Sequence, residues 1–210
     1  MPLVAAGQNA MLSGGLGNAA LYASLHTAYP GGTGTSEVTG GSPAYARQSI
    51  TWNAAASGQR TNNGALTFNV PASTTVSWVG LWSAATLGTF YGSFPLAAGT
   101  PKIGVVLAGD LTPNTIESVS HGYTAGTQVT FYPVEGGSLP AGLTEGTLYY
   151  VIATGLTTDV FEVSATSGGA AVDITGEGVM VVQSALPETF AGQGTQTINN
   201  GGLVLDATLV

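Results

Sequence analysis

Short apolar runs that end at glycine, proline or asparagine occur along the whole chain of 210 residues, which contains 32 glycines and 10 prolines. Runs of this length fit β-strands, which are about four to eight residues long, whereas an amphipathic helix needs a longer pattern. Threonine and valine, which favour strands, are frequent in these runs. The pattern therefore predicts an all-β chain with one short helix, at residues 8–13 near the N-terminus.

Two-residue periodicity identifies the best-defined strands. The segment YARQSITW (45–52) alternates between two faces, and ALTFNV (65–70) follows a predicted turn over residues 58–64. The segment TTVSWVGLWS (74–83) has apolar residues on both faces. We therefore expect it to form a central strand that is covered on each side.

Charge divides the chain into two regions. Residues 100–186 contain eight of the eleven acidic residues and one base, which gives −7, and the rest of the chain gives −1. The segment TFYGSFPL (89–96) closes the first block of strands. The acidic region contains short strands bounded by turns, which favour a small β-sandwich or barrel module; they are TIESVS (115–120), TQVTFYPV (127–134), LYYVIATG (148–155), DVFEVSAT (159–166) and VMVVQ (179–183). Residues 187–210 return to the style of the first region. We predict a jelly-roll-like β-sandwich built from residues 1–99 and 187–210, with module 100–186 inserted in a surface loop.

Composition also excludes several classes of function. A net charge of −8 with only three Lys and Arg residues argues against nucleic-acid binding, and the absence of cysteine excludes disulfides and thiolate chemistry. No secretory signal and no apolar run of about 20 residues is seen, so no membrane insertion is expected. Because only 7% of residues are charged, the surface is weakly protected against association. We therefore expect a homo-oligomer.

Candidate reactive groups are few. His26 and His121 lie in different predicted domains, which does not favour a metal site, and no nucleophile-elbow motif accompanies them. The carboxylate pairs Glu135 with Glu145 and Asp159 with Glu162 fit turns and solvent-facing strand positions better than a glycosidase pair. The glycine-rich loop PGGTGTSEVTGG lacks a phosphate-binding pattern. We predict no catalytic residue, no metal ligand and no cofactor.

Other residues are better candidates for structural or contact roles. Arg47 is expected to donate an ion pair, with Glu37 or Glu188 as its partner. The tryptophans are expected in the core or at an interface, because aromatic residues at strand spacing usually pack there; they are Trp52, Trp78 and Trp82. Tyr149 and Tyr150 are the candidates for surface binding.

The ordered segments SLHTAYPGGTGTSEVTGGSPAYARQSITW, GALTFNVPASTTVSWVGLWSAATLGTFYGSF and PETFAGQGTQTINNGGLVL resemble minor tail or tail fibre proteins of tailed bacteriophages, of the kind found in phages of actinobacteria. The acidic region, with HGYTAGTQVTFYPVEGGSLPAGLTEGTLYYV and VFEVSATSGGAAVDITGEG, resembles small β-modules found in tail and capsid proteins. Neither resemblance includes catalytic residues.

The resemblance implies a non-enzymatic structural protein of the virion. A minor tail or tail-tip component is the leading hypothesis, with the first domain in assembly, module 100–186 projecting, and other virion proteins as partners. By analogy with fibres, the homo-oligomer is expected to be a trimer. The alternatives are a capsid decoration protein, a module that binds host cell-surface glycans or a receptor, and a glycan-cleaving enzyme.

Overall fold

The protein divides into two compact units in a computed structural model, which describes residues 9, 12–15, 19–97, 99–112, 114–134 and 137–206. Unit 1 is Met1–Phe94 together with Glu188–Val210, and unit 2 is Pro95–Pro187. Within the helix predicted at 8–13, residues 9, 12 and 13 have helical backbone, and residues 8, 10 and 11 lie outside the described part of the chain.

Nearly all regular structure in the described residues is β-structure. The strands are β1 Leu21–His26, β2 Gln48–Ile50, β3 Gln59–Thr61, β4 Leu66–Val70, β5 Thr74–Val76, β6 Trp78–Trp82, β7 Phe90–Pro95, β8 Lys102–Val106, β9 Ile116–Glu117, β10 Gln128–Pro133, β11 Tyr149–Val151, β12 Val160–Phe161, β13 Val163–Ser164, β14 Gly178–Ala185, β15 Glu188–Phe190, β16 Gly194–Ile198 and β17 Val204–Asp206. A 3-10 turn covers Ala108–Asp110. The prediction of an all-β chain is confirmed.

Unit 1 contains a four-stranded sheet in the order β2-β1-β6-β7. β6 pairs antiparallel with β1, so that Ser24 lies opposite Gly80 and His26 opposite Trp78. All five residues of β6 are buried, as its apolar residues on both faces indicate. The predicted strand 74–83 is interrupted at Ser77, because β5 leaves the sheet and pairs elsewhere.

A long antiparallel ribbon completes unit 1. The C-terminal strands β15, β16 and β17 pair in turn with β5, β4 and β3, so that Glu188 lies opposite Val76 and Asp206 opposite Gln59. The predicted turn over 58–64 was therefore wrong for Gln59–Thr61, because these residues find hydrogen-bond partners in β17, more than 140 positions later in the chain. Phe68 of β4 is fully buried and stacks on Tyr45.

Unit 2 is a barrel-like sheet of seven strands in the order β12-β9-β8-β14-β10-β11-β13. The two terminal strands belong to one short segment, since only Glu162 separates β12 from β13. This segment pairs with β9 on one side and with β11 on the other, so it nearly closes the sheet. β8 was not among the predicted strands. The barrel encloses an apolar core: Val106, Ile116, Val129, Phe131, Leu143, Tyr149, Val151, Phe161, Val163, Ile174, Met180 and Val182.

Candidate functional site

Arg47 and Glu37 form a bidentate ion pair in unit 1. The Arg47 Nε donates to Glu37 Oε1 at 2.8 Å, and Nη2 donates to Oε2 at 2.7 Å. The two side chains are only 9% and 19% exposed, so the pair is well shielded from water and salt. Of the two expected partners, Glu37 occupies the position beside Arg47. Glu188 instead belongs to the exposed start of β15.

Local backbone pairing brings Glu37 to this position. Thr27 N–H donates to Ser36 O and Val38 N–H donates to Leu25 O, each at 2.9 Å, which returns the glycine-rich loop to the end of β1. Tyr45 Oη donates to Glu37 Oε1 at 3.2 Å and accepts from Leu25 N–H at 2.8 Å. Burial raises the pKa of Tyr45, so its hydroxyl remains a donor to the carboxylate.

Arg47 also fixes the loop between β6 and β7. Its Nη1 donates to Leu87 O at 2.7 Å and to Ala84 O at 3.0 Å. Its guanidinium carbon lies 3.6 Å from the centre of the Trp82 ring, which is cation–π geometry. The network therefore connects the glycine-rich loop and the segment that leads into β2 with the β6–β7 loop, which lies 37 to 40 positions later in the sequence.

A second polar chain lies beside this pair. His26 Nδ1 donates to Thr35 O at 2.7 Å, and its Nε2, which is then an acceptor, receives the Ser24 hydroxyl at 2.7 Å. Ser24 Oγ in turn accepts from Trp82 Nε1 at 3.0 Å. Burial lowers the pKa of His26 below its usual value of 6.5, which keeps the imidazole neutral.

The Ser24–His26 contact has the distance of a nucleophile and its general base, but its surroundings do not suit catalysis. Both side chains are fully buried, and the orienting partner of His26 is a carbonyl oxygen rather than a carboxylate. A Cβ at Gly80 would lie 2.5 Å from Ser24 Oγ and 2.6 Å from His26 Nε2. The backbone of β6 thus occupies the space from which a substrate would approach.

The other predicted reactive groups occupy different surroundings. Asp159 Oδ1 accepts from Ser120 N–H at 2.7 Å, so it stabilises a turn, while Glu162 is buried and its pKa is raised by that burial. Of the other pair, Glu145 is exposed and Glu135 lies outside the described residues. His121 is buried, and its Nδ1 accepts from Tyr123 N–H at 2.9 Å. No cluster of three or more potential metal-ligating side chains occurs in the described part of the chain.

The aromatic candidates occupy different environments. Trp78 and Trp82 are buried in β6, and Trp52 is half-buried. The expectation of Tyr149 at a binding surface was wrong: it points into the barrel, where it packs on Phe131 and its hydroxyl accepts from Thr144 N–H. Strand alternation turns Tyr150 to the other face, where it is half-buried.

Two residues of unit 1 were missed from sequence. Ser24 is two positions before His26, and this spacing on a strand predicts a shared face, which could have indicated the contact. Asn62 gave no such signal. It is fully buried, its Nδ2 donates to Asn199 O at 3.0 Å and to Gly64 O at 2.6 Å, and its Oδ1 accepts from Leu203 N–H at 2.8 Å. Asn199 and Leu203 are remote from Asn62 in sequence, so only the fold identifies its role.

The fold and these networks define the class of protein as an all-β structural protein. In unit 1, the side chains that were candidates for chemistry instead connect separate backbone segments. A family model described as Podophage GP4 fiber I protein gp80 matches residues 16–122, just over half of the chain. The chain belongs to this family of phage fibre proteins. It is accordingly a structural virion protein of the tail-fibre type, and the predicted location in the virion is confirmed.

The match begins before β1 and ends after β9, so it includes the start of unit 2 as well as most of the N-terminal part of unit 1. No curated protein matches the chain. Within the described residues, no helix is long and apolar enough to cross a membrane.

Proposed function

We propose that the chain is a non-enzymatic component of the phage tail, positioned at the tail tip, where it contacts other virion proteins. The observation that supports this most directly is the use of Arg47, Glu37, His26 and Ser24 in buried contacts that stabilise the backbone. A shielded network of this kind supplies rigidity, which a mechanical component of a particle needs, and it leaves neither Ser24 nor His26 accessible as a nucleophile or base.

We further propose a division of labour between the two units. The assembly domain corresponds to residues 1–99 and 187–210, and the inserted, projecting module corresponds to residues 100–186. The two compact units, which meet at 94/95 and 187/188, and the charge difference of −1 against −7 support this assignment. A weakly charged surface favours protein contacts, whereas a strongly acidic one favours solvent.

Labelling of purified particles tests the tail assignment. Antibodies against the chain, imaged by electron microscopy on intact particles, on separated heads and on separated tails, should mark the tail tip. Label on heads alone would overturn the assignment and support a capsid decoration protein instead.

A deletion tests the division of labour. A phage that encodes the chain without residues 100–186 should incorporate the shortened protein into particles, because the proposed assembly contacts lie in residues 1–99 and 187–210. Particles that incorporate full-length protein but never the shortened one, although its tryptophan fluorescence shows a folded unit 1, would contradict the proposal.

No observation favours glycan binding over assembly. Tyr149, one of the two tyrosines considered for a sugar-binding surface, is 4% exposed and belongs to the barrel core. A binding assay with host cell walls remains informative about Tyr150. If the wild type bound host cell walls and Tyr150→Ala did not, Tyr150 would be established as a glycan contact.

A further inference from the structure

Strand β7 forms an edge of the four-stranded sheet of unit 1. In the order β2-β1-β6-β7 it follows β6, and no other strand of the described residues pairs with its outer side. It is six residues long, while β2 at the opposite edge has three. An exposed edge presents backbone N–H and C=O groups that can pair with another strand.

Charged side chains, one of the usual protections of such an edge, are missing here, and the proline of the strand, Pro95, occupies only its last position. Natural edge strands are commonly guarded by charged side chains, but no Asp, Glu, Lys, Arg or His occurs between residues 61 and 101. Tyr91 in the middle of β7 is 43% exposed, and Leu87 just before the strand is 86% exposed. An uncharged edge with exposed apolar side chains indicates that β7 is covered in the assembled protein.

The sequence of β7, FYGSFP, suits pairing with a second copy of itself. In an antiparallel pair related by a twofold axis at Gly92, Phe90 of one copy would face Phe94 of the other, and Tyr91 would face Ser93. The two Tyr91 side chains would be diagonal neighbours, within reach of each other. Gly92, at the twofold axis, has no side chain, and a Cβ there would meet no atom within 4 Å, so neither face of the sheet is crowded at this position.

Charge at this strand does not oppose a second copy as the occupant. Outside residues 100–186 the chain carries only −1, so two copies of unit 1 that meet at an uncharged strand experience little repulsion. We propose that β7 pairs with β7 of a second copy and extends the four-stranded sheet across the twofold axis. Such a pair closes as a dimer, so the proposal differs from the trimer expected by analogy with fibres. The proposal deepens the assembly role proposed above, since it names the surface through which copies associate.

Two lysine variants with the same charge change test the proposal. Tyr91→Lys places two positive charges at diagonal positions in the pair, whereas Val204→Lys alters a residue of unit 1 with similar exposure, 46%, far from β7 in sequence. In sedimentation velocity over a concentration series, the full-length wild type and Val204→Lys should dimerise alike. Tyr91→Lys should raise the dimer dissociation constant about tenfold or more.

Cysteine cross-linking tests the register, because the natural chain contains no cysteine. Directly opposed residues of an antiparallel pair lie about 4.5–5.5 Å apart at Cα, which a disulfide can bridge, whereas diagonal residues lie about 7–8 Å apart. A mixture of Tyr91→Cys and Ser93→Cys should therefore oxidise to dimers faster than either variant alone. Val204→Cys should cross-link slowly.

A wild type that stays monomeric at all concentrations, or equal cross-linking of the Val204→Cys control and the mixture, would overturn the proposal. A stable dimer that Tyr91→Lys does not weaken would also overturn it, since another surface would then hold the copies together. None of these outcomes depends on where the protein lies in the particle. Failure of β7 pairing is thus distinguishable from failure of the tail assignment.

Discussion

Replacement of Arg47 by methionine is the most informative perturbation of the buried network. The change keeps much of the side-chain volume but removes the bidentate bond to Glu37, both loop contacts and the cation–π contact with Trp82. Removal of one partner of a buried ion pair costs about 3–5 kcal/mol. Glu37 keeps 19% exposure and the Tyr45 hydrogen bond, so we expect the lower end, about 3 kcal/mol.

Tryptophan fluorescence during urea unfolding measures this loss in unit 1 alone, since Trp52, Trp78 and Trp82 all belong to it. With an m value of about 2 kcal/mol/M, a loss of about 3 kcal/mol lowers the urea midpoint by roughly 1.5 M. The cation–π contact with Trp82 also means that the native emission itself should change on substitution.

Arg60→Met is the matched control. Arg60 donates to two backbone carbonyls, those of Asn53 and Leu12, and has no carboxylate partner within the described residues. Its loss should cost about 1.5 kcal/mol. A double-mutant cycle with Glu37→Gln should give a coupling to Arg47 of about 2 kcal/mol. Equal losses for the two arginines, or zero coupling to Glu37, would refute the claim that the ion pair organises this part of the fold.

Three further predictions concern the same unit and use the same fluorescence assay. The folded state lowers the pKa of His26, whereas the unfolded chain keeps a pKa of about 6.5, so the unfolded state binds the proton first as the pH falls. The free energy of unfolding should therefore fall as the pH drops below about 6.5. A His26→Gln variant with an equally steep pH dependence would contradict this. Asn62→Ala should lower the free energy of unfolding by about 1–3 kcal/mol, because it removes the partner of three backbone groups, of which the Leu203 N–H is buried. Asn63→Ala at an exposed neighbouring position should cost under about 0.5 kcal/mol, and similar costs at both positions would rule out the proposed role. Gly80→Ala should lower the free energy of unfolding by about 1–3 kcal/mol, because the added Cβ would overpack against Ser24 and His26. Gly32→Ala, where a Cβ meets nothing within 4 Å, should be nearly neutral. A neutral Gly80→Ala would show that Ser24 and His26 do not fill the space next to Gly80.

Much of the secondary structure follows from local pattern. Alternation and turn residues predicted β4, β7, β10 and β11, because a strand with one buried face must repeat every two residues. The pattern failed at Gln59–Thr61, where polar residues beside Asn-Gly resemble a turn. Their strand is stabilised by pairing with β17, which no local signal reports.

The candidate site, too, was predicted from the sequence only in part. The scarcity of charge made Arg47 and Glu37 conspicuous, since a chain with three basic residues can form few ion pairs. The position of Glu37 depends on the return of the glycine-rich loop to β1, and Arg47 reaches Trp82 and the β6–β7 loop only in the folded chain, so both are tertiary features. Tyr149 and Tyr150 were also ambiguous in the sequence, because two adjacent aromatic residues do not reveal which ring faces the core; the structure buries Tyr149.

The sequence by itself determined the all-β class, the contrast between a nearly neutral region and an acidic one, and the family pattern of a phage fibre protein, because each depends on composition or on residues close together in the chain. Only the tertiary structure decided that Ser24 and His26 are sealed beneath β6, that Asn62 holds the C-terminal turn, and that β7 is left at an edge. These properties depend on contacts between segments far apart in the chain, and burial, hydrogen-bond satisfaction and edge exposure are defined only once those segments have met.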